Sequence, residues 1–170
     1  MLMGQRGFGG GPQRGGGGGG LGRPVHHQQG GGVAQGGTIV SPEDVRAIVS
    51  GDDDGRILVK NAEALAGGFD QSTTRTSIRR LYTEFRQIEA MWRDAERREI
   101  AARRATLLGP RLAYQTGRAP ALRTLTDVLR QMLVEVAGGT DNEARRRRFL
   151  RVVEFVEAIV AYLPQRERRN

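Results

Sequence analysis

The chain has no cysteine, a single lysine (Lys60), a single tryptophan and only two histidines in 170 residues. Without cysteine there is no disulfide framework, no thiolate metal site and no cysteine nucleophile. His26 and His27 stand side by side in a glycine-rich stretch with no third ligand nearby. They are read as part of a disordered segment, not a metal tract. Long apolar runs are also missing: the longest, Ala158 to Leu163, is six residues, against the ~20 needed to cross a bilayer. Met1 to Met3 lead into glycines and lack the apolar stretch of a signal peptide. These absences predict a soluble, cytoplasmic protein with no membrane association.

Two things are abundant, glycine and arginine. Residues 1–37 hold 17 of the 25 glycines and no acidic residue. Backbone this free costs too much entropy to order alone, so residues 1–40 are expected to be a disordered Gly/Arg-rich tail. Within it, Arg6-Gly7-Phe8-Gly9-Gly10 and Arg14-Gly15-Gly16 resemble the RGG segments of RNA-binding proteins, although a plain flexible leader fits three arginines better. The remaining residues, 41–170, suffice for one helical domain. The net charge of +8 is unevenly spread. Residues 43–71 carry three basic and seven acidic residues, whereas residues 72–170 carry 21 basic and 12 acidic ones. All the cationic side chains except Lys60 are guanidiniums, whose planar fork donates two hydrogen bonds to one phosphate. A polyanionic partner, RNA or DNA, is therefore favoured over a small neutral substrate.

The periodicity predicts an all-α bundle of about five to six helices. Ser41-Pro42-Glu43-Asp44 reads as a cap, a first-turn proline and two acids at the positive helix end. A short helix through Val45, Ile48 and Val49 follows and stops at Gly51. Asp52-Asp53-Asp54-Gly55 matches no calcium-loop spacing and is expected to be a solvated turn. A second short helix (Ile57, Leu58, Ala62, Leu65, Ala66) ends at Gly67-Gly68. The third is expected from a cap at Thr73 or Thr74 to at least Ala95, buried through Ile78, Leu81, Tyr82, Phe85, Ile88 and Trp92. Gly109-Pro110 is expected to break the next helix, proline opening a short one that ends at Gly117. A fifth runs from about Pro120 to Gly138-Gly139, and a sixth, capped by Asp141 or Asn142, runs to Pro164. No strand is expected.

At 100° per residue, Arg75, Arg79, Arg86 and Arg93 fall within about 40° of one another. Arg97 and Arg104 join them if the helix is unbroken. Such a ridge suits a phosphate backbone, although Glu89, at i,i+4 to Arg93, offers ion pairing instead. A second basic cluster, Arg145 to Arg148 with Arg151, suits a surface contact or a solvated helix start equally. A third, Arg111 and Arg118, flanks Tyr114. That tyrosine suits base stacking, but among Leu112 and Ala113 a core position is the better expectation.

Three segments in order, Thr76-Ser77-Ile78-Arg79-Arg80-Leu81-Tyr82, Gly109-Pro110-Arg111-Leu112-Ala113-Tyr114-Gln115-Thr116-Gly117-Arg118 and Phe155-Val156-Glu157-Ala158-Ile159-Val160-Ala161-Tyr162, resemble the small subunit of type III-A CRISPR effector (Csm) complexes over roughly residues 43–163. The resemblance implies a small all-α bundle without catalytic activity or cofactor. Its copies would self-associate into a filament beside the backbone subunits and the large polymerase-type subunit, lining the channel of guide RNA and target RNA. It implies RNA-binding roles for Arg79, Arg80, Arg111 and Arg118. Arg75 and Arg86 are added by the helical wheel. Ser77 stands where the family commonly has glutamine, and Gly109 where it commonly has a basic residue, so one phosphate contact is in doubt. Glu157, Ala158 and Tyr162 suit helix packing.

The leading expectation is thus a non-catalytic, sequence-independent RNA-binding subunit for antiviral defence. The alternative is a purely protein–protein scaffold whose arginines pair with acidic partners. A metal-dependent nuclease using Asp52 to Asp54 lacks a second acid set and any nucleophile–base pair.

Overall fold

Ser41 begins the first helix as its chemistry dictates: its Oγ accepts from the Asp44 amide at 3.0 Å. A computed structural model of the chain describes residues 40–69 and 72–163. Apart from Val40, the expected disordered tail lies outside the described residues. Val40 itself is fully buried and belongs to the core, not the tail. It stands one residue before the cap, with buried Val45 four residues after it, the pair of positions that forms a hydrophobic staple.

Among the described residues the structure is all-α. The six helices are α1 (Pro42–Ser50), α2 (Arg56–Ala66), α3 (Ser72–Arg93), α4 (Arg98–Arg118), α5 (Arg123–Ala137) and α6 (Asn142–Tyr162). Short 3₁₀ turns, Ala95–Arg97 and Pro120–Leu122, precede α4 and α5. The long helix α6 packs against α1, α2, α3, α4 and α5. Its Phe149, Val152, Val153, Phe155, Val156 and Ile159 are buried completely. Phe149 stacks on Phe85 of α3 with ring centroids 5.6 Å apart and planes 8° from parallel. Trp92, also on α3, tilts onto the same ring at 4.9 Å. Trp92 is 1 % exposed, and its indole N–H finds no partner among the described residues.

Three expectations about the helices are corrected. Helix α3 begins at Ser72, earlier than expected, so Thr73 and Thr74 lie inside it and do not cap it. It ends at Arg93, because Asp94 takes an extended conformation and caps the following turn by accepting from the Glu96 amide at 3.0 Å. Arg97 and Arg104 therefore do not continue the α3 ridge. Finally, α4 runs unbroken through Gly109-Pro110. Proline removes one i→i−4 hydrogen bond, but Pro110 and Thr106 are both exposed, so water can serve the Thr106 carbonyl. Buried Leu108 and Leu112 hold the helix to the core on either side.

The connections are tied by side chains. Asp52, expected in a solvated turn, is 4 % exposed and accepts from the amides of Ile57 (3.2 Å) and Leu58 (2.8 Å), serving the first turn of α2. The position before that helix is Gly55, at φ 72°, where a side chain would be strained. Asp141 caps α6 by accepting from the Ala144 amide at 2.7 Å, and this bond holds its carboxyl below the usual carboxylate range. The cap therefore adds stability above the unfolded-state value and loses it as the pH falls through the lowered folded one. A Cβ on Gly139 would come within 2.8 Å of Arg145 Cγ, so glycine allows α5 and α6 to close up. Trp92, Phe85 and Phe149 are among the largest fully buried side chains. Phe149→Ala is expected to destabilise the fold by about 3–5 kcal/mol, measurable by denaturant unfolding.

Candidate nucleic-acid interface

The aromatic contact sets the rotation of α3, and with it the direction of each arginine. With Ile78, Phe85 and Trp92 facing inward, helical spacing sends Arg75, Arg79, Arg86 and Arg93 to one flank of the buried stripe and Ser77, Arg80 and Glu84 to the other, about 150° away around the axis. The six RNA-binding candidates thus do not lie on one continuous face. On the first flank, Arg86 and Arg93 converge on Glu89, at 2.5 and 2.7 Å. Glu89 is buried, and its paired guanidiniums let it stay so. Tyr82 and Glu157 lie beside this cluster: burial pushes the Tyr82 phenol up, and the hydrogen-bonded Glu157 carboxylate adds to the effect. Arg75 is half-buried, and Arg79 is exposed with no carboxylate partner among the described residues.

On the second flank, α3 and α4 border a groove of about 610 Å³. Ser77, Arg80, Leu81 and Glu84 line it from α3, and Pro110, Arg111, Tyr114, Gln115 and Arg118 from α4, with Ala119 and Leu122 closing the end. Two of the three segments quoted above therefore meet here, and three guanidiniums face one carboxylate. Arg111 pairs with Glu84 across the helices, yet its side chain stays 69 % exposed. Among the described residues no carboxylate pairs with Arg80 or Arg118. Tyr114 is corrected from its expected core position, being 67 % exposed. The Arg118 guanidinium carbon sits 5.8 Å from the ring centroid, with Nη1 3.5 Å from the hydroxyl. The end of α4 is held by the Thr116 and Thr126 hydroxyls, 2.6 Å apart.

The cluster Arg145 to Arg148 with Arg151 is mostly internal. Arg145 donates to the Gly139 carbonyl (3.2 Å) and Arg148 to that of Glu135 (2.7 Å). Arg146 pairs with Glu143 at 2.9 Å. Arg151 donates to the Ile48 and Asp52 carbonyls and pairs with Glu154 and Asp52. Of the five, Arg147 alone is exposed, and its charge acts on the Asp141 carboxylate. Among the described residues no group of His, Cys, Asp or Glu is arranged to hold a metal, and no helix is long and apolar enough to cross a membrane. One feature escaped the sequence reading. Ile100, Leu107 and Tyr114 are exposed at seven-residue intervals along α4, about 21 Å in all, interleaved with Arg104, Arg111 and Arg118. The expected break at Gly109-Pro110 hid this register.

A family model described as Csm2 Type III-A matches residues 52–165, more than half of the chain. The chain belongs to the Csm2 family. It is therefore a small subunit of a type III-A CRISPR complex, from a structural subunit family. The match covers α2 to α6 and so includes both flanks of α3 and the groove. No curated protein and no solved structure matches the chain significantly. Glu89 is the shared anchor of the first flank. Glu89→Ala is expected to destabilise the fold by about 1–2 kcal/mol, since water can solvate both released guanidiniums, and to increase the unfolding rate seen in stopped-flow.

Proposed function

We propose that this Csm2-family subunit is a non-catalytic RNA-binding element of its complex, cytoplasmic and free of cofactors. It contacts the phosphates of guide or target RNA without reading bases, lines their channel beside the backbone and large polymerase-type subunits, and serves antiviral defence as one of several copies in a filament. The observation that carries this reading is the meeting of Arg80, Arg111 and Arg118 in one groove with a single carboxylate opposing them. Phosphate contacts position a strand without specifying its sequence, as a subunit serving any guide requires. Individually weak contacts gain strength when neighbouring copies hold the same strand, because each later contact is intramolecular. Arg79 and Arg75 supply a separate, secondary contact on the other flank, whereas Arg86 is tied to Glu89.

The isolated protein is expected to bind single-stranded RNA modestly, with a log–log salt slope of about −0.7 per neutralised phosphate. Changing Arg80, Arg111 and Arg118 to glutamate together should abolish binding in fluorescence anisotropy. Arg147→Glu, in a different groove, should have a minor effect. A flat salt response, or triple-variant binding equal to the wild type, would sink the reading.

A protein contact is favoured for the remainder of the α4 stripe, where Ile100 and Leu107 expose apolar surface at heptad spacing. Contacts between copies in the filament are assigned to it. Leu107→Glu is expected to shift the protein toward monomer in sedimentation velocity while sparing RNA affinity. If RNA cross-linking in the assembled complex survives the arginine changes unaltered, the purely protein–protein scaffold is the correct function.

A further inference from the structure

One side chain in the α3–α4 groove has no task in phosphate binding. Tyr114 leaves two thirds of its surface in solvent, more than any other large hydrophobic residue of α4, and it does so beside apolar Leu81, Pro110, Ala119 and Leu122. A purely electrostatic site needs neither the ring nor the apolar wall. Arg118 lies over the ring, its guanidinium carbon 5.8 Å from the centroid and Nη1 3.5 Å from the hydroxyl, and 67 % of the tyrosine stays exposed around that contact. The groove volume, about 610 Å³, lies within the range that encloses a small organic ligand.

Building on the RNA reading above, we propose that the groove takes the base of one unpaired nucleotide. The base stacks on Tyr114, Arg118 covers its edge, and Arg80 and Arg111 hold the adjoining phosphates. A phenol ring and an arginine are the side chains on which single-stranded bases stack, and every base offers a π-face, so stacking adds affinity without sequence preference. A base inside a duplex already has both faces covered and cannot enter. The subunit is therefore selective for unpaired positions of a strand, a property that phosphate contacts alone do not confer. A protein side chain as occupant is less suited, since the walls carry three guanidiniums that match a polyanion.

The test measures anisotropy of the full-length protein with three labelled RNAs of equal phosphate number: a 12-nucleotide oligouridine, the same backbone with abasic sites at its centre, and a hairpin duplex. The wild type is expected to prefer the oligouridine. Tyr114→Ala should weaken binding to it at least fivefold, leave the other two RNAs unchanged, and keep the salt slope. Tyr114→Phe should behave as the wild type, and Arg80→Ala should lower the slope on all three. Circular dichroism checks the fold, which an exposed position should not disturb.

If Tyr114→Ala binds all three RNAs as the wild type does while the arginine variants still lose affinity, stacking is overturned and the phosphate reading stands. If neither class of variant affects RNA, both are overturned. If Tyr114→Ala alters the oligomeric state at unchanged RNA affinity, the groove is a protein contact and the proposal fails.

Discussion

The packing of Phe149 between Phe85 and Trp92 fixes the rotation of α3 about its own axis, and most other features depend on that rotation. Turning α3 by one residue would swing each side chain by about 100°, taking Arg80 and Glu84 out of the groove and Glu89 out of its paired burial. The aromatic faces resist this, because close-packed cores tolerate few alternative arrangements. An apolar contact thus decides the electrostatics of a surface it does not touch.

The arginines divide into two populations by what they face. Arg145, Arg148 and Arg151 reach backbone carbonyls that connect helices, and Arg86 and Arg93 stabilise a buried carboxylate. Arg79, Arg80, Arg118, most of Arg111 and Arg147 remain directed at solvent. The excess of positive charge in the sequence therefore overstates the cationic surface, since part of it serves as internal cross-bracing. Arginine suits both tasks: its fork satisfies several acceptors at once, and it is more weakly hydrated than an ammonium.

Much of the fold was legible because apolar residues at three- and four-residue spacing have few solutions other than a helix buried on one side. The caps at Ser41 and Asp141 and the stop at Gly67 were legible for equally local reasons. The path of α4 was not. Gly109-Pro110 carries the local signature of a break, and only tertiary burial of Leu108 and Leu112 overrides it. The end of α3 was missed because Asp94 follows an unbroken apolar pattern. The candidate groove was half legible: the sequence offers Arg80, Arg111 and Arg118 as candidates, but joining Arg80 to the other two needs the pairing of α3 with α4. The link between Arg151 and the end of α1 was unreadable in principle, as the Asp52 and Ile48 carbonyls that it reaches lie 99 and 103 residues away in the chain.

The indole of Trp92 sits at the junction that sets α3, and no second tryptophan exists in the chain. Its emission therefore reports one place alone, and a shift to longer wavelength signals water reaching that junction. Its N–H, lacking a hydrogen-bond partner among the described residues, is also a point where the interior is not at its stability optimum. The core thus contains both a natural optical probe and a position with room for improvement.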